Sequence, residues 1–199
     1  MDIVIVSGFL GSGKTTLISH GLDYFRKNNK LFALIVNEIG TSGVDNLYFG
    51  KSGCHVREIL GGCVCCTSAP AFGRAITDIR DMVKPDVVLI EPSGIANSAQ
   101  IKSAVLKARK ENERIFSIAL LDSERIDLIL DAVHGLTVDS VETADRVVIT
   151  KTDIAEPKDI HTAVSFARDH NPDAAIVKAS LVGSPAPRLM EEVFPCRRT

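Results

Sequence analysis

Short, almost wholly apolar runs alternate along this chain with stretches whose apolar residues recur every three or four positions. The runs predict strands at about 2–7, 31–37, 54–60, 86–91, 115–121, 146–150 and 175–178. The periodic stretches predict helices at about 14–28, 69–84, 97–112, 123–134, 138–143 and 157–170. Strands that are apolar on both faces and are separated by helices belong to a parallel sheet covered on two sides, an α/β architecture. Within 123–134, Leu128, Ile129 and Val133 fall on one helical face, and Gly135 reads as a left-handed stop. His134 is then expected as a partner for the helix C-terminal dipole. Pro185 and Pro187 punctuate the end, so residues 184–199 read as a loosely attached tail to one domain at 1–183.

Composition narrows the partners. With 199 residues, 45% of them apolar, the chain can bury one good core. A net charge of −2 with no basic cluster argues against a nucleic-acid surface. No apolar stretch approaches the roughly 18 residues of a membrane span, so a cytoplasmic protein with no membrane contact is expected. The five cysteines are an odd number, and Cys63, Cys65 and Cys66 crowd together, a spacing suited to metal or redox chemistry rather than to a disulfide framework.

The chemistry concentrates where strands end. After the first strand comes Gly8-Phe9-Leu10-Gly11-Ser12-Gly13-Lys14-Thr15, with Thr16 next and a helical pattern following. Glycines at these offsets let successive N–H groups and a helix N-terminus face polyphosphate oxygens, as in a P-loop NTPase. Lys14 would reach the β- and γ-phosphates and Thr15 would hold Mg²⁺. Beyond the second strand, Glu38 and Asp45 are candidates for placing metal or water near the γ-phosphate. The fourth strand ends in Glu91-Pro92-Ser93-Gly94, an acid to orient Mg²⁺ or water and a glycine N–H to meet the γ-phosphate. The sixth runs into Thr150-Lys151-Thr152-Asp153. A carboxylate there can accept from guanine N1 and N2, which adenine does not offer, while the Lys151 stem packs along the nucleotide; this selects GTP. Ser180, after the last strand, is placed to contribute near the guanine O6.

The cysteine loop follows Gly61-Gly62 and precedes Thr67 and Ser68. Thiolates favour soft or borderline metals such as Zn²⁺, Cu⁺ or Co²⁺ over Mg²⁺, and Zn²⁺, Co²⁺ and Ni²⁺ all suit thiolate with carboxylate ligands. Three thiolates in four residues strain a tetrahedral site, so two cysteines with an acid such as Glu38 make a better ligand set. A redox-active thiol pair and incidental cysteines stay open beside metal binding. Cys54, His55 and Cys196 read as structural.

Together these residues resemble the CobW-like metal-chaperone GTPases, relatives of the nickel-insertion GTPases UreG and HypB. The likeness rests on Gly8 to Thr16, Asn37-Glu38-Ile39-Gly40, Gly62-Cys63-Val64-Cys65-Cys66, Glu91 to Gly94 and Thr150 to Asp153. It implies a slow GTPase that binds a transition metal and hands it to a client metalloprotein or a cofactor pathway, a corrinoid system among them, with a nucleotide-dependent homodimer possible. A regulatory binding switch with negligible turnover and a thiol redox sensor are the alternatives. Thr41 stands where many members carry glutamate, Thr150 where asparagine is usual, and Pro92 where threonine or serine is usual. The resemblance implies a short form with the G domain only, lacking the C-terminal domain and histidine-rich segment of fuller members.

Overall fold

A computed structural model describes residues 1–36, 55–58, 69–183 and 187–194. The strands are β1 (Asp2–Gly8), β2 (Phe32–Val36), β3 (His55–Glu58), β4 (Val87–Glu91), β5 (Arg114–Asp122), β6 (Arg146–Thr150) and β7 (Ala175–Lys178). They form one seven-stranded sheet in the order β3-β2-β4-β1-β5-β6-β7, with every pairing parallel. The helices are α1 (Lys14–Lys27), α2 (Ala69–Met82), α3 (Ser98–Ala108), α4 (Ile126–Glu142), α5 (Pro157–His170) and α6 (Pro187–Val193), with a 3₁₀ turn at Ser123–Arg125 before α4.

Alternation along the strands divides the core. Val4, Val6, Leu34, Leu89, Leu120 and Val148 face Leu17, Ile18, Leu22 and Phe25 of α1. Their neighbours Ile3, Ile5, Ile35 and Ile90 face Phe72, Ile76 and Ile79 of α2 and Ile101 and Val105 of α3. Farther along the same face, Leu121, Val147 and Ile149 meet α4 and α5 through Ile126, Val141, Ala163 and Phe166. Burial on both faces explains why the strands read as unbroken apolar runs. Strand β1 is central: its connections leave toward β2 on one side, and β4 and β5 flank it. Ligands of such sheets bind beyond the strand carboxyl ends at this switch in direction, and β1 ends in the glycine-rich loop.

The helix after β5 differs from expectation in its details. Residues 126–142 are two helical segments joined across a kink at Val133 (φ −142°, ψ 38°), so the expected break is present but falls at Val133 and not after Gly135. Gly135 is not left-handed. Leu128 is exposed rather than on the buried face. His134 directly follows this kink, its ring 5.8 Å from Phe166 and 6.0 Å from His170. The end of the chain is also held more firmly than expected over 187–194. Met190, Val193 and Phe194 join the α1 side of the core, and the Phe194 ring lies 5.4 Å from that of Phe25. No side chain at position 21 has room beneath it, because a Cβ on Gly21 would stand 2.8 Å from the Phe194 ring.

Candidate nucleotide site at the end of the central strand

The loop after β1 takes its shape from backbone conformations that side chains resist. Gly8, Gly11 and Gly13 have φ of 147°, 75° and 95°, values that glycine adopts without a Cβ clash. Gly13 is the residue before α1, so the turn delivers the chain straight into a helix N-terminus whose first N–H groups have no partners within the helix. Ser12 N–H closes the loop on the Phe9 carbonyl at 3.1 Å. Lys14 folds its buried side chain back over this loop, Nζ donating to the same Phe9 carbonyl at 3.3 Å. The result is a concave run of backbone donors with an ammonium beside it, a chemistry suited to phosphate.

Two other strand ends converge on the loop. Glu91, at the end of β4, is buried and accepts a 2.9 Å hydrogen bond from Thr15 Oγ1. Gly94 touches the loop directly: a Cβ there would stand 2.8 Å from the Leu10 nitrogen. From β6, the buried Thr150 Oγ1 donates to the Ser12 carbonyl at 2.9 Å, and Thr150 O accepts from Ser123 Oγ at 2.6 Å. Threonine at this position therefore ties the β6 end to the phosphate loop.

Lys151 continues from Thr150 with a left-handed backbone (φ 59°), and the exposed Asp153 follows two residues later. The Lys151 ammonium lies 2.8 Å from Asp122 Oδ2 and 2.8 Å from Glu124 Oε2. Burial works against that charge, but the hydrogen bonds to Asp122 and Glu124 outweigh it and hold the lysine above its ordinary value. Leu181 reaches the same edge, where a Cβ on Gly13 would meet its side chain at 3.2 Å. Its carbonyl bonds His20 Nε2 at 3.0 Å, and Ser180 beside it is half-buried. Thr16 is exposed on the first turn of α1.

Behind the phosphate loop lies a cavity of ≈ 20 Å³, lined by Ser7, Gly8, Gly94, Asp122, Val133 and Ser140. It has room for about one water molecule and none for a nucleotide. The kink at Val133 forms one of its walls. Asp139, one turn before the end of α4, accepts from the Ser98 N–H at 2.6 Å and the Ala99 N–H at 3.2 Å. A carboxylate at the first turn of α3 complements that helix's dipole and ties α4 to the segment following Gly94.

Of the residues singled out from the sequence, Gly8, Gly11, Ser12, Gly13, Lys14, Thr15, Glu91, Gly94 and Thr150 come together around this loop. Lys151, Asp153 and Ser180 lie on its flank. Glu38, Asp45, Cys63, Cys65 and Cys66 are outside the described residues, as are Cys54 and Cys196. Among the described residues, no three His, Cys, Asp or Glu side chains are grouped as a metal site would require. No described helix is long and apolar enough to cross a membrane. Sequence reasoning missed Asp122, Glu124 and Arg125. The signal was available at Asp122, an acid ending an apolar strand, the same signal that singled out Glu91.

A central-strand phosphate loop, an acid ending the next strand and a parallel sheet covered on both faces define a P-loop nucleotide-binding protein. Within that class the chain belongs to the CobW/HypB/UreG family, whose nucleotide-binding-domain model matches residues 2–178. It is 34% identical over 159 residues to the zinc chaperone YeiR of Escherichia coli, covering 77% of this chain and 47% of that protein. It is 30% identical over 173 residues to the zinc chaperone YjiA of the same organism, covering 80% of this chain and 52% of YjiA. The chain thus spans about half the length of these curated relatives. The fold is shared with the hydrogenase maturation factor HypB from Archaeoglobus fulgidus, with a TM-score of 0.68 at 19% identity over 91% of this chain and 82% of that one. It is equally shared with the Zn(II)-bound YjiA GTPase, with a TM-score of 0.68 at 22% identity over 96% of this chain and 60% of that one.

Proposed function

We propose that this chain is the GTP-binding, GTP-hydrolysing part of a metallochaperone, a protein that delivers a transition metal to a client metalloprotein or cofactor pathway. The observation that carries the reading is the convergence on one loop of Lys14, the Thr15–Glu91 pair and Gly94, with Thr150 bonded across to Ser12. Loop N–H groups and the Lys14 ammonium bind and neutralise the polyphosphate, and such fixed charge is the main catalytic resource in phosphoryl transfer. Thr15 Oγ1 and the Glu91 carboxylate offer the hard oxygen donors that Mg²⁺ takes, and fit that ion. When bound, Mg²⁺ would supply charge neutralisation at the β- and γ-phosphates. Glu91, close to both Thr15 and the loop, orients that region, and Asp153 reads guanine. Glu38 and Asp45 are assigned to placing metal or water by their position after β2.

The transported metal is cargo. Cys63, Cys65 and Cys66, with Glu38, are the proposed ligands, and zinc is favoured because the curated relatives YeiR and YjiA are zinc chaperones. Co²⁺ and Ni²⁺ suit the same donors. The working compartment is the cytoplasm, and a homodimer formed with nucleotide belongs to the same reading. GTP and ATP turnover measured together with bound Zn²⁺, Co²⁺ and Ni²⁺ tests it. The expected result is slow turnover of GTP well above ATP, one equivalent of metal lost in Cys65→Ser/Cys66→Ser, and GTP binding kept in that variant. Equal use of ATP would remove the guanine assignment, and full metal retention in the double variant would remove the cysteine site.

A further inference from the structure

Asp122 ends β5 with no exposed surface. A buried carboxylate is costly unless it is fully paired, and this one is paired on one side only. Its Oδ2 receives Arg125 Nε at 2.8 Å and Lys151 Nζ at 2.8 Å. Its Oδ1 has no partner among the described residues. The two cations lead to different halves of the site. Arg125 Nη2 donates to the Leu10 carbonyl of the phosphate loop at 2.9 Å and would stand 2.9 Å from a Cβ placed on Gly11. Lys151 has a left-handed backbone (φ 59°), a conformation that costs an L-residue energy relative to glycine. That turn sets the direction in which the chain reaches Asp153.

We propose that Asp122 is a positioning residue that locks the base-reading turn and the phosphate loop into one register: it holds Lys151 in its left-handed turn and Arg125 on the Leu10 carbonyl. Base recognition and polyphosphate binding then act as one coupled event. Neither glutamate nor asparagine replaces it readily, since the first is too long for a fully enclosed strand end and the second leaves Arg125 facing a neutral amide and Lys151 with Glu124 alone. The inference deepens the GTP-binding reading and rests on it.

The test is a set of equilibrium titrations of the full chain with GTP, ATP and inorganic tripolyphosphate, each variant checked for folding by circular dichroism. Asp122→Asn is expected to lose most of the preference for GTP over ATP, roughly tenfold or more, and to bind tripolyphosphate more weakly. Arg125→Gln is expected to weaken all three ligands by a common factor and to keep the GTP preference. Lys151→Gly supplies the control that separates positioning from general stability, because glycine adopts the left-handed turn without an ion pair. In that background, adding Asp122→Asn is expected to change the GTP to ATP ratio far less than it does alone, a non-additivity that a merely structural residue would not show. Full GTP preference in folded Asp122→Asn, or simple additivity with Lys151→Gly, overturns the proposal. Should Asp122→Asn fail to fold, Lys151→Met decides: it keeps the side-chain stem and removes the ion pair, and an unchanged GTP preference there overturns the proposal equally. A parent protein with no preference for GTP would overturn the guanine reading and this inference together. A parent with the preference and variants that keep it overturn only the inference.

Discussion

Strand β5 carries a buried carboxylate at each end, and the two are held in opposite ways. Just before its first residue, Glu113 receives Arg80 Nε and Nη2, one on each oxygen at 2.7 Å, and the Lys110 N–H at 2.8 Å. Both oxygens are satisfied, and Arg80 spends its remaining reach on the Ala108 carbonyl at 3.0 Å. At the other end, Asp122 takes both its cations on a single oxygen, and the arginine's second partner is a carbonyl of the phosphate loop. The first arrangement is closed on itself and ties α2 and the end of α3 to the sheet. The second is open, and what it ties together is the machinery of the site. The difference separates an ion pair that holds the fold from one that holds loops in register.

The closed pair should show the largest effect on stability. Arg80→Met leaves the Glu113 carboxylate buried without its partner, and breaking such a pair is expected to lower unfolding free energy by about 3–5 kcal/mol. GTP affinity of the folded protein should stay unchanged. Urea unfolding followed by nucleotide titration checks both halves, and a loss below about 1 kcal/mol would mean that the pair behaves as a surface pair.

Lys14→Ala probes the open end. Its ammonium acts on ligand charge, so GTP turnover should fall by at least about 10²-fold while the melting temperature moves little. Near-normal turnover in this variant would end the phosphate-loop mechanism.

The two ends also answer pH in opposite directions. Burial pushes the Glu113 carboxyl up, but the Arg80 guanidinium and the Lys110 N–H outweigh it and hold the group below its ordinary value. Its contribution to stability is therefore present above the ordinary glutamate range and lost as pH falls through the lower folded value. Lys151 is raised, so its contribution is present below the ordinary lysine range and lost as pH rises through the higher folded value. Urea midpoints followed across the acid range should show the gap between the parent and Arg80→Met narrowing as pH falls, because protonation removes the parent's ion pair and relieves the unpaired buried carboxylate of the variant. A gap that stays constant down the acid limb would separate Glu113 from acid unfolding.

What the sequence discloses about this contrast is uneven for a physical reason. The phosphate loop is legible because its glycines, lysine and threonine lie at fixed offsets within one segment. The strand ends at Glu91 and Thr150 are legible because apolar runs stop there. The β5 partners are not, since Arg80 is 33 residues from Glu113 and Lys151 is 27 residues from Glu124; only the sheet order brings them together. Phe194 gave no periodic signal in a short, proline-punctuated end, yet it fills the space over Gly21. The kink of α4 was misplaced because Gly135 looks like a stop, whereas the non-helical residue is Val133 in the cavity wall.

That misreading suggests the most delicate test, with the smallest expected effect. If Gly135 bent α4, replacing it would straighten the helix and disturb the cavity behind the phosphate loop. The geometry argues otherwise: Gly135 is not left-handed, and a Cβ on it would meet nothing within 4 Å. Glycine inside a helix gives up about 0.5–1 kcal/mol relative to alanine through its larger unfolded-state freedom. Gly135→Ala is therefore expected to stabilise the protein by about that amount, with GTP affinity and turnover unchanged, because the bend is set by packing around Val133 and by the Asp139 bonds to the start of α3. Differential scanning calorimetry with a parallel GTP titration measures both. A stabilised protein with altered GTP affinity would transfer the origin of the kink to Gly135 and make the α4 bend, rather than the β5 carboxylate alone, part of what holds the phosphate loop in place.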